Sequence, residues 1–195
     1  MNGGKSILEV EGLTIRFGGL VAVSDVTFQQ TEGEILSIIG PNGAGKTTIF
    51  NMMTGFYKPT AGDIRYRGQS TLGLPTHAIS DLGIIRTFQK TMVFPKATVR
   101  DGVLIGLHQS SSVGWWEILW NSARKIKEDA GLQVEADRIL EFTGLADKAH
   151  MEARNLPYGE QRLLEIAVGL APRPDLLLLD EPASGMNAEE SAKTL

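Results

Sequence analysis

The segment that decides the fold is "GPNGAGKTT", Gly40–Thr48, which follows the apolar run "GEILSIIG". It fits the pattern G-x-x-x-x-G-K-[S/T], with a predicted strand before it and a predicted helix from Lys46 to about Thr54. Glycines at 40, 43 and 45 allow a tight turn in which backbone N–H groups converge on phosphate oxygens. The sequence therefore predicts a phosphate-binding loop, against the alternative of a glycine-rich loop that binds nothing.

Each part of this loop has a chemical task. The helix N-terminus supplies partial positive charge, and Lys46 supplies a full charge that reaches the β- and γ-phosphates. The hydroxyl of Thr47 can take a place on Mg²⁺. The predicted nucleotide contacts in the loop are Gly40, Pro41, Asn42, Gly43, Ala44, Gly45, Lys46, Thr47 and Thr48.

A second apolar run, "DLLLLDEP", supplies acidic residues after a predicted buried strand. Asp180 can hold Mg²⁺ directly or through a water, and Glu181 is placed to act as general base on the attacking water. Acidic residues after a strand are commonly solvated turn residues, but the lysine loop favours the functional interpretation. The chain is predicted to bind a nucleoside triphosphate.

Composition narrows the class of protein. The chain has 195 residues, 42% of them apolar and 22% charged, which is enough for a sizeable soluble core. A net charge of −4 gives no broad basic face for nucleic acid, and the absence of cysteine excludes disulfides. The N-terminus lacks the apolar core of a signal peptide, and no apolar run approaches the ~20 residues that span a bilayer.

The order of predicted elements indicates an α/β core interrupted by a helical lobe. Strand-like runs dominate up to "GIIRTFQ", and the pattern is helical from Thr98 to about Ala149. A further helix follows the turn "RNLPYG", and Pro172 and Pro174 stop it before the acidic strand. The predicted buried helical faces are Ala136, Ile139 and Leu140 in the lobe, and Leu163, Ile166, Ala167 and Leu170 after the turn.

With the lysine loop, "LPYGEQR" and "LLLLDEP" in that order, the chain resembles the ATP-binding subunit of an ABC transporter. The resemblance covers essentially the whole chain. It implies a P-loop NTPase core of the ABC type, with N-terminal antiparallel strands and an inserted helical subdomain. The implied division is 1–97 with the phosphate loop, 98–172 as the helical subdomain, and 173–195 as the return to the core.

"LPYGEQ" resembles the signature motif of that family, usually written LSGGQ. The resemblance implies that Tyr158, Gly159 and Glu160 close on the γ-phosphate of ATP held by a second subunit. A simple helix cap is the alternative for this segment taken alone. Pro157 replaces the serine of the generic motif, and Glu160 replaces its glutamine and brings an extra negative charge.

Other roles follow from the resemblance one position at a time. Phe17 matches the aromatic that stacks on adenine, although an ordinary core phenylalanine fits equally well. Gln89 matches the glutamine that reaches Mg²⁺ and water in a loop that touches the transmembrane subunit. Ser184–Asn187 resembles the loop that crosses the dimer interface. The implied catalytic residues are Glu181, Lys46 and Gln89, and the implied metal ligands are Thr47, Gln89 and Asp180.

Three segments resemble the ATP-binding subunits of bacterial branched-chain amino acid importers: "IRFGGLVAVSDVTF", "GIIRTFQ" and the insertion containing "WWEILW". The implied function is an ATPase that energises such an importer, with ATP and Mg²⁺ as cofactors. The implied partners are a second ATP-binding subunit, in a homo- or heterodimer, and transmembrane permease subunits on the cytoplasmic face of the membrane. Trp115, Trp116 and Trp120 are either a docking surface or the packing of an amphipathic helix.

The chain departs from the family pattern after Glu181. The family expects a further strand that ends in a histidine near the γ-phosphate, and none of the three histidines lies after Glu181. We therefore expect a truncated subunit. Two alternatives stay open: a soluble ABC-type ATPase that works on translation or DNA, and a nucleotide-binding form that does not hydrolyse ATP. The resemblance also implies that solute specificity resides in other subunits of the transporter.

Overall fold

The computed structural model describes residues 5–87, 96–109 and 130–180. The chain divides into two compact units, Met1–Leu82 and Gly83–Leu195. Among the described residues, no helix is long and apolar enough to cross a membrane. The predicted three-part division at residues 97 and 172 stays a prediction.

The first unit is built on a four-stranded antiparallel sheet of order β2-β1-β3-β4. Its strands are β1 (Ser6–Phe17), β2 (Leu20–Thr31), β3 (Ala61–Tyr66) and β4 (Gln69–Ser70). In the register of β1 with β2, Ser6 lies opposite Thr31 and Phe17 opposite Leu20. The predicted N-terminal antiparallel strands are confirmed.

Two helices complete the first unit. Helix α1 (Lys46–Met53) follows the glycine loop and contacts β2, and α2 (Thr76–Asp81) follows β4. Apolar side chains alternate along the strands, so that one face of the sheet packs inward. The buried side chains of this unit include Leu8, Val10, Leu13, Ile49, Met52, Ile64 and Ile79.

The predicted strand before the glycine loop is wrong in this structure. Residues 34–40 have no regular secondary structure, and the side chains of Ile35 and Ile39 are 91% and 92% exposed. The apolar run is typical of a strand covered on both faces and paired on both edges. None of the described strands pairs with it, so the pattern alone does not produce a strand here.

In its described residues, the second unit combines a parallel strand pair with three α-helices. Strands β5 (Ile84–Arg86) and β6 (Leu176–Leu178) are parallel, with Ile84 opposite Leu176 and Arg86 opposite Leu178. Helices α3 (Val99–Gln109), α4 (Ala130–Phe142) and α5 (Tyr158–Leu170) form the helical part, with short 3₁₀ turns at Ala146–Lys148 and Ala153–Asn155. The parallel pair and the helical run agree with the predicted α/β class.

The helical part has its own apolar core. Ala136 and Leu140 of α4 are fully buried, as the sequence pattern predicts, and Ile139 packs against them. On α5 the side chains of Leu164 and Ala167 are buried, as is Ala171 directly after the helix, whereas Leu163, Ile166 and Leu170 are half-buried. The predicted burial of Ala167 is therefore confirmed, whereas the other three predicted positions of this face are only half-buried.

Candidate functional site

The glycine loop turns sharply into α1. Gly45 immediately precedes the helix and has φ +89°, and Gly43 has φ +83°. A Cβ atom on Gly45 would lie 2.7 Å from the carbonyl oxygen of Ala22 and 2.9 Å from Cγ2 of Val23. The loop therefore rests directly on β2, and glycine is required at position 45 for both the backbone angle and the close approach.

Lys46 closes the loop on itself. Its Nζ donates hydrogen bonds to the carbonyl oxygens of Gly40, at 2.8 Å, and Pro41, at 3.0 Å. Residues 41–44 are exposed, whereas Lys46, Thr47 and Thr48 are half-buried in the first turn of α1. These hydrogen bonds hold the lysine ammonium against the loop backbone, and the loop itself is accessible to solvent.

The start of α1 suits an anion. The first N–H groups of a helix have no acceptor one turn earlier, and they carry the positive end of the helix dipole. No side chain caps this helix, and its first turn holds no acidic residue. An approaching phosphate therefore meets neither a competing cap nor a repelling carboxylate at this helix start.

An aromatic cluster lies at the end of the sheet where β1 turns into β2. Phe17 is 44% exposed, and its ring meets that of Tyr57 edge-on with centroids 5.2 Å apart. Tyr57 also contacts Phe56, whose side chain is 68% exposed. Phe17 pairs with Leu20, two residues before the Ala22 that touches Gly45.

The exposure of Phe17 rules out the core-residue alternative, and its role as an adenine platform stays a prediction. The sequence reasoning missed Phe56 and Tyr57. The signal was available in "GFYKP", where two adjacent aromatics follow shortly after α1, but only the fold brings them to Phe17.

Asp180 lies in the second unit, two residues beyond the end of β6. Its side chain is only 3% exposed, and Oδ2 accepts a 2.7 Å hydrogen bond from Nη2 of Arg86, which is 17% exposed. Arg86 ends β5, the strand that pairs with β6. The sequence reasoning placed Asp180 at the end of a buried strand and missed the half-buried arginine that pairs with it.

The predicted signature residues form the first turn of α5. Tyr158 begins the helix, Gly159 is buried, and Pro157 stands at the N-cap without a side-chain cap bond. The carboxylate of Glu160 is paired with the ammonium of Lys148. This contact raises the pKa of Lys148 and balances the extra negative charge of Glu160.

Arg162 sits one turn further along α5. It donates a hydrogen bond to the hydroxyl of Tyr158, 2.8 Å from Nη2, and another to Glu165, 2.7 Å from Nη1. Its guanidinium lies 5.3 Å from the centre of the Tyr158 ring. Burial raises the pKa of Glu165, and the hydrogen bond and positive charge of Arg162 offset only part of this rise.

Several predicted residues lie outside the described part of the chain. They are Gln89, Glu181, Ser184–Asn187 and the tryptophans at 115, 116 and 120. Across residues 5–87, 96–109 and 130–180, no group of three or more His, Cys, Asp or Glu side chains could hold a metal ion alone.

Comparison with known proteins decides the family. A family model described as ABC transporter matches residues 23–184. The chain belongs to the ABC transporter family. The match includes the glycine loop, the first turn of α5 and Asp180, so the structural features above fall within the family domain.

Two curated relatives of this ABC transporter chain are described as high-affinity branched-chain amino acid transport ATP-binding proteins. LivG of Salmonella typhimurium is 44% identical over 95% of this chain and 72% of its own length. BraF of Pseudomonas aeruginosa is 43% identical over 96% of this chain and 73% of its own length.

A solved structure supports the same fold. The ADP conformation of MJ1267, an ATP-binding cassette of an ABC transporter, superposes with a TM-score of 0.83 at 28% identity. It covers 96% of this chain, and this chain covers 73% of it. The predicted ABC-type nucleotide-binding fold is confirmed.

Proposed function

We propose that this chain binds and hydrolyses ATP as the energising subunit of an importer for branched-chain amino acids. The observation that carries the proposal is the loop of residues 40–48, with Lys46 held over it and the uncapped start of α1 behind it. The similarity to LivG and BraF supports the choice of solute class.

Nucleotide binding follows from the charges at the loop. The amides at the start of α1 and the ammonium of Lys46 would contact the β- and γ-phosphates, and Lys46 would exchange its carbonyl partners for phosphate oxygens. Such charge-assisted hydrogen bonds are stronger than those to neutral carbonyls. Phe17 and Tyr57 would provide the aromatic surface for the adenine ring.

The residues present fit magnesium. The hydroxyl of Thr47 and the carboxylate of Asp180 are oxygen ligands of the kind that Mg²⁺ prefers. Bound Mg²⁺ would neutralise charge on the β- and γ-phosphate oxygens. Gln89 is a further candidate ligand by resemblance to the family pattern.

Hydrolysis would rest on this chain's own groups in two roles. Glu181 would accept a proton from the attacking water, and Lys46 would stabilise the charge that develops on the γ-phosphoryl oxygens. The roles of Glu181 and Gln89 rest on the resemblance of "LLLLDEP" and "RTFQ" to the family pattern.

The signature segment would act on a second ATP-binding subunit. Tyr158, Gly159 and Glu160 begin α5, whose positive end would meet the γ-phosphate bound by the partner. Closing and opening of the dimer would be transmitted to transmembrane permease subunits. The chain would accordingly work on the cytoplasmic face of the membrane.

Calorimetric titration of ATP in excess Mg²⁺ tests the proposal, with three proteins compared: the parent chain, Lys46→Ala and Lys5→Ala. Lys46→Ala removes charge-assisted hydrogen bonds to phosphate, so we expect its affinity to fall about 10- to 100-fold. Lys5→Ala changes an exposed lysine at the start of the sheet and should bind ATP as the parent does.

Equal affinity in the two lysine variants would refute the phosphate-loop assignment. Phosphate release measured on the same proteins separates hydrolysis from binding alone. Binding without release, also in the presence of the permease subunits, would refute the proposed hydrolysis and favour a nucleotide-binding module.

A further inference from the structure

Arg86 and Asp180 form the least exposed arginine–aspartate ion pair among the described residues. Its side chains are 17% and 3% exposed, against 44% and 23% for Arg65 and Asp63 on β3. A carboxylate this deeply buried is strongly disfavoured unless a counter-charge and hydrogen bonds compensate it. Arginine provides both without losing its proton.

The backbone fixes the position of this pair. Arg86 lies opposite Leu178 in the parallel register of β5 and β6. Just beyond it, the N–H of Thr87 donates to the carbonyl oxygen of Leu178 at 3.0 Å. The guanidinium is therefore carried to the Asp180 carboxylate by the strand pairing itself.

From this geometry we propose that Arg86 is the counter-ion of Asp180 and lowers the affinity of that carboxylate for Mg²⁺. The proposal rests on the proposed function, in which Asp180 serves a magnesium–nucleotide complex. The guanidinium of Arg86 and Mg²⁺ repel each other when both contact the Asp180 carboxylate. Each cation therefore lowers the affinity of the carboxylate for the other by the same factor.

This opposition has a consequence for the order of binding. Because Arg86 neutralises Asp180, the buried carboxylate does not need a metal ion as its counter-charge. A bare magnesium ion gains little at a carboxylate that is already paired, whereas an ion that arrives with triphosphate brings ligands of its own. Arg86 thus acts as a positioning residue that restricts the site to the metal–nucleotide complex.

The test compares the parent chain with Arg86→Gln, Arg86→Lys and the control Arg65→Gln. For each protein, calorimetry gives the dissociation constant of ATP once in EDTA and once in excess MgCl₂. The dissociation constant in EDTA divided by the dissociation constant in MgCl₂ measures the affinity gained from Mg²⁺. Any loss of phosphate-loop integrity affects both constants and cancels in the ratio.

We expect the ratio to rise about tenfold in Arg86→Gln, within the 5- to 150-fold range of typical coupling between sites. In Arg86→Lys we expect a rise of about threefold, since an ammonium keeps the charge but loses the planar hydrogen-bonding geometry. Arg65→Gln removes an exposed arginine–aspartate pair and should leave the ratio unchanged.

Thermal unfolding without ligand should show a lower midpoint for Arg86→Gln than for Arg86→Lys, because the glutamine leaves a buried charge unpaired. If Arg86→Gln does not fold, the ratio for Arg86→Lys decides. An unchanged ratio with a lowered unfolding midpoint would show a purely structural pair and overturn the inference, and so would a ratio that falls.

Absence of ATP binding by the parent chain under both conditions would instead refute the proposed function. ATP binding by the parent in EDTA, together with an unchanged ratio in the Arg86 variants, refutes only the role of Arg86.

Discussion

Replacement of Gly45 by alanine tests how tightly the glycine loop is seated on β2. Two costs add in this variant. A residue with a side chain at φ +89° costs about 1–2 kcal/mol, and a Cβ placed 2.7 Å from the Ala22 carbonyl oxygen forces a shift that costs about 1–3 kcal/mol. We therefore expect Gly45→Ala to lower the free energy of unfolding by about 2–5 kcal/mol.

Gly43→Ala is the matched control. Gly43 has a similar angle, φ +83°, but a Cβ there would meet no atom within 4 Å. Only the backbone cost of about 1–2 kcal/mol applies, and the effect of alanine on the unfolded chain is the same in both variants. Urea denaturation followed by circular dichroism measures both. If the two variants lose the same stability, the loop is not in contact with β2 and the reasoning fails.

Two further predictions concern the aromatic cluster and the β3–β4 hairpin. Phe17→Ala removes one base–aromatic stack, so we expect calorimetry to show ATP binding weakened about 5- to 150-fold and the binding of inorganic triphosphate unchanged. Weaker triphosphate binding in this variant would contradict the stacking role. Phe142→Ala, which removes another exposed phenylalanine, is the control. The hydrogen bond from the Ser70 hydroxyl, with one from Arg65, lowers the pKa of Asp63. The ionised Asp63 carboxylate therefore stabilises the fold fully above the ordinary pKa of aspartate, and this contribution is lost as the pH falls through the lowered pKa of Asp63. Denaturant titrations should show the penalty of Asp63→Asn shrinking between about pH 5 and pH 2, and a constant penalty would refute the assignment.

The parts of the fold that sequence predicted well are those fixed by neighbouring residues. Helix α1 begins at Lys46 and ends at Met53, within a residue of the prediction, because the glycines and the apolar spacing are local signals. The buried positions Ala136 and Leu140 on α4 were predicted for the same reason. Family membership was predictable because three motifs occur in a fixed order.

The parts that sequence could not predict depend on distant partners. The run before the glycine loop has strand-like composition, but a strand exists only where another strand accepts its hydrogen bonds. The contact of Phe17 with Tyr57 joins residues on either side of α1. Arg86 and Asp180 are 94 residues apart in the sequence, and nothing in "IIRTFQ" indicates that its arginine pairs with a distant carboxylate.

Glu160 shows why a departure from a motif has to be judged in three dimensions. As a sequence change it adds a negative charge at the helix start proposed to face a phosphate, which would oppose anion binding. In the structure, Lys148 of the 3₁₀ turn Ala146–Lys148 pairs with that carboxylate, and both side chains are about one quarter exposed. The pair is close to neutral, so the N-terminus of α5 keeps its positive dipole. Glu160 therefore leaves the first turn of α5 compatible with a phosphate, and Lys148 determines the charge of this segment as much as Glu160 does.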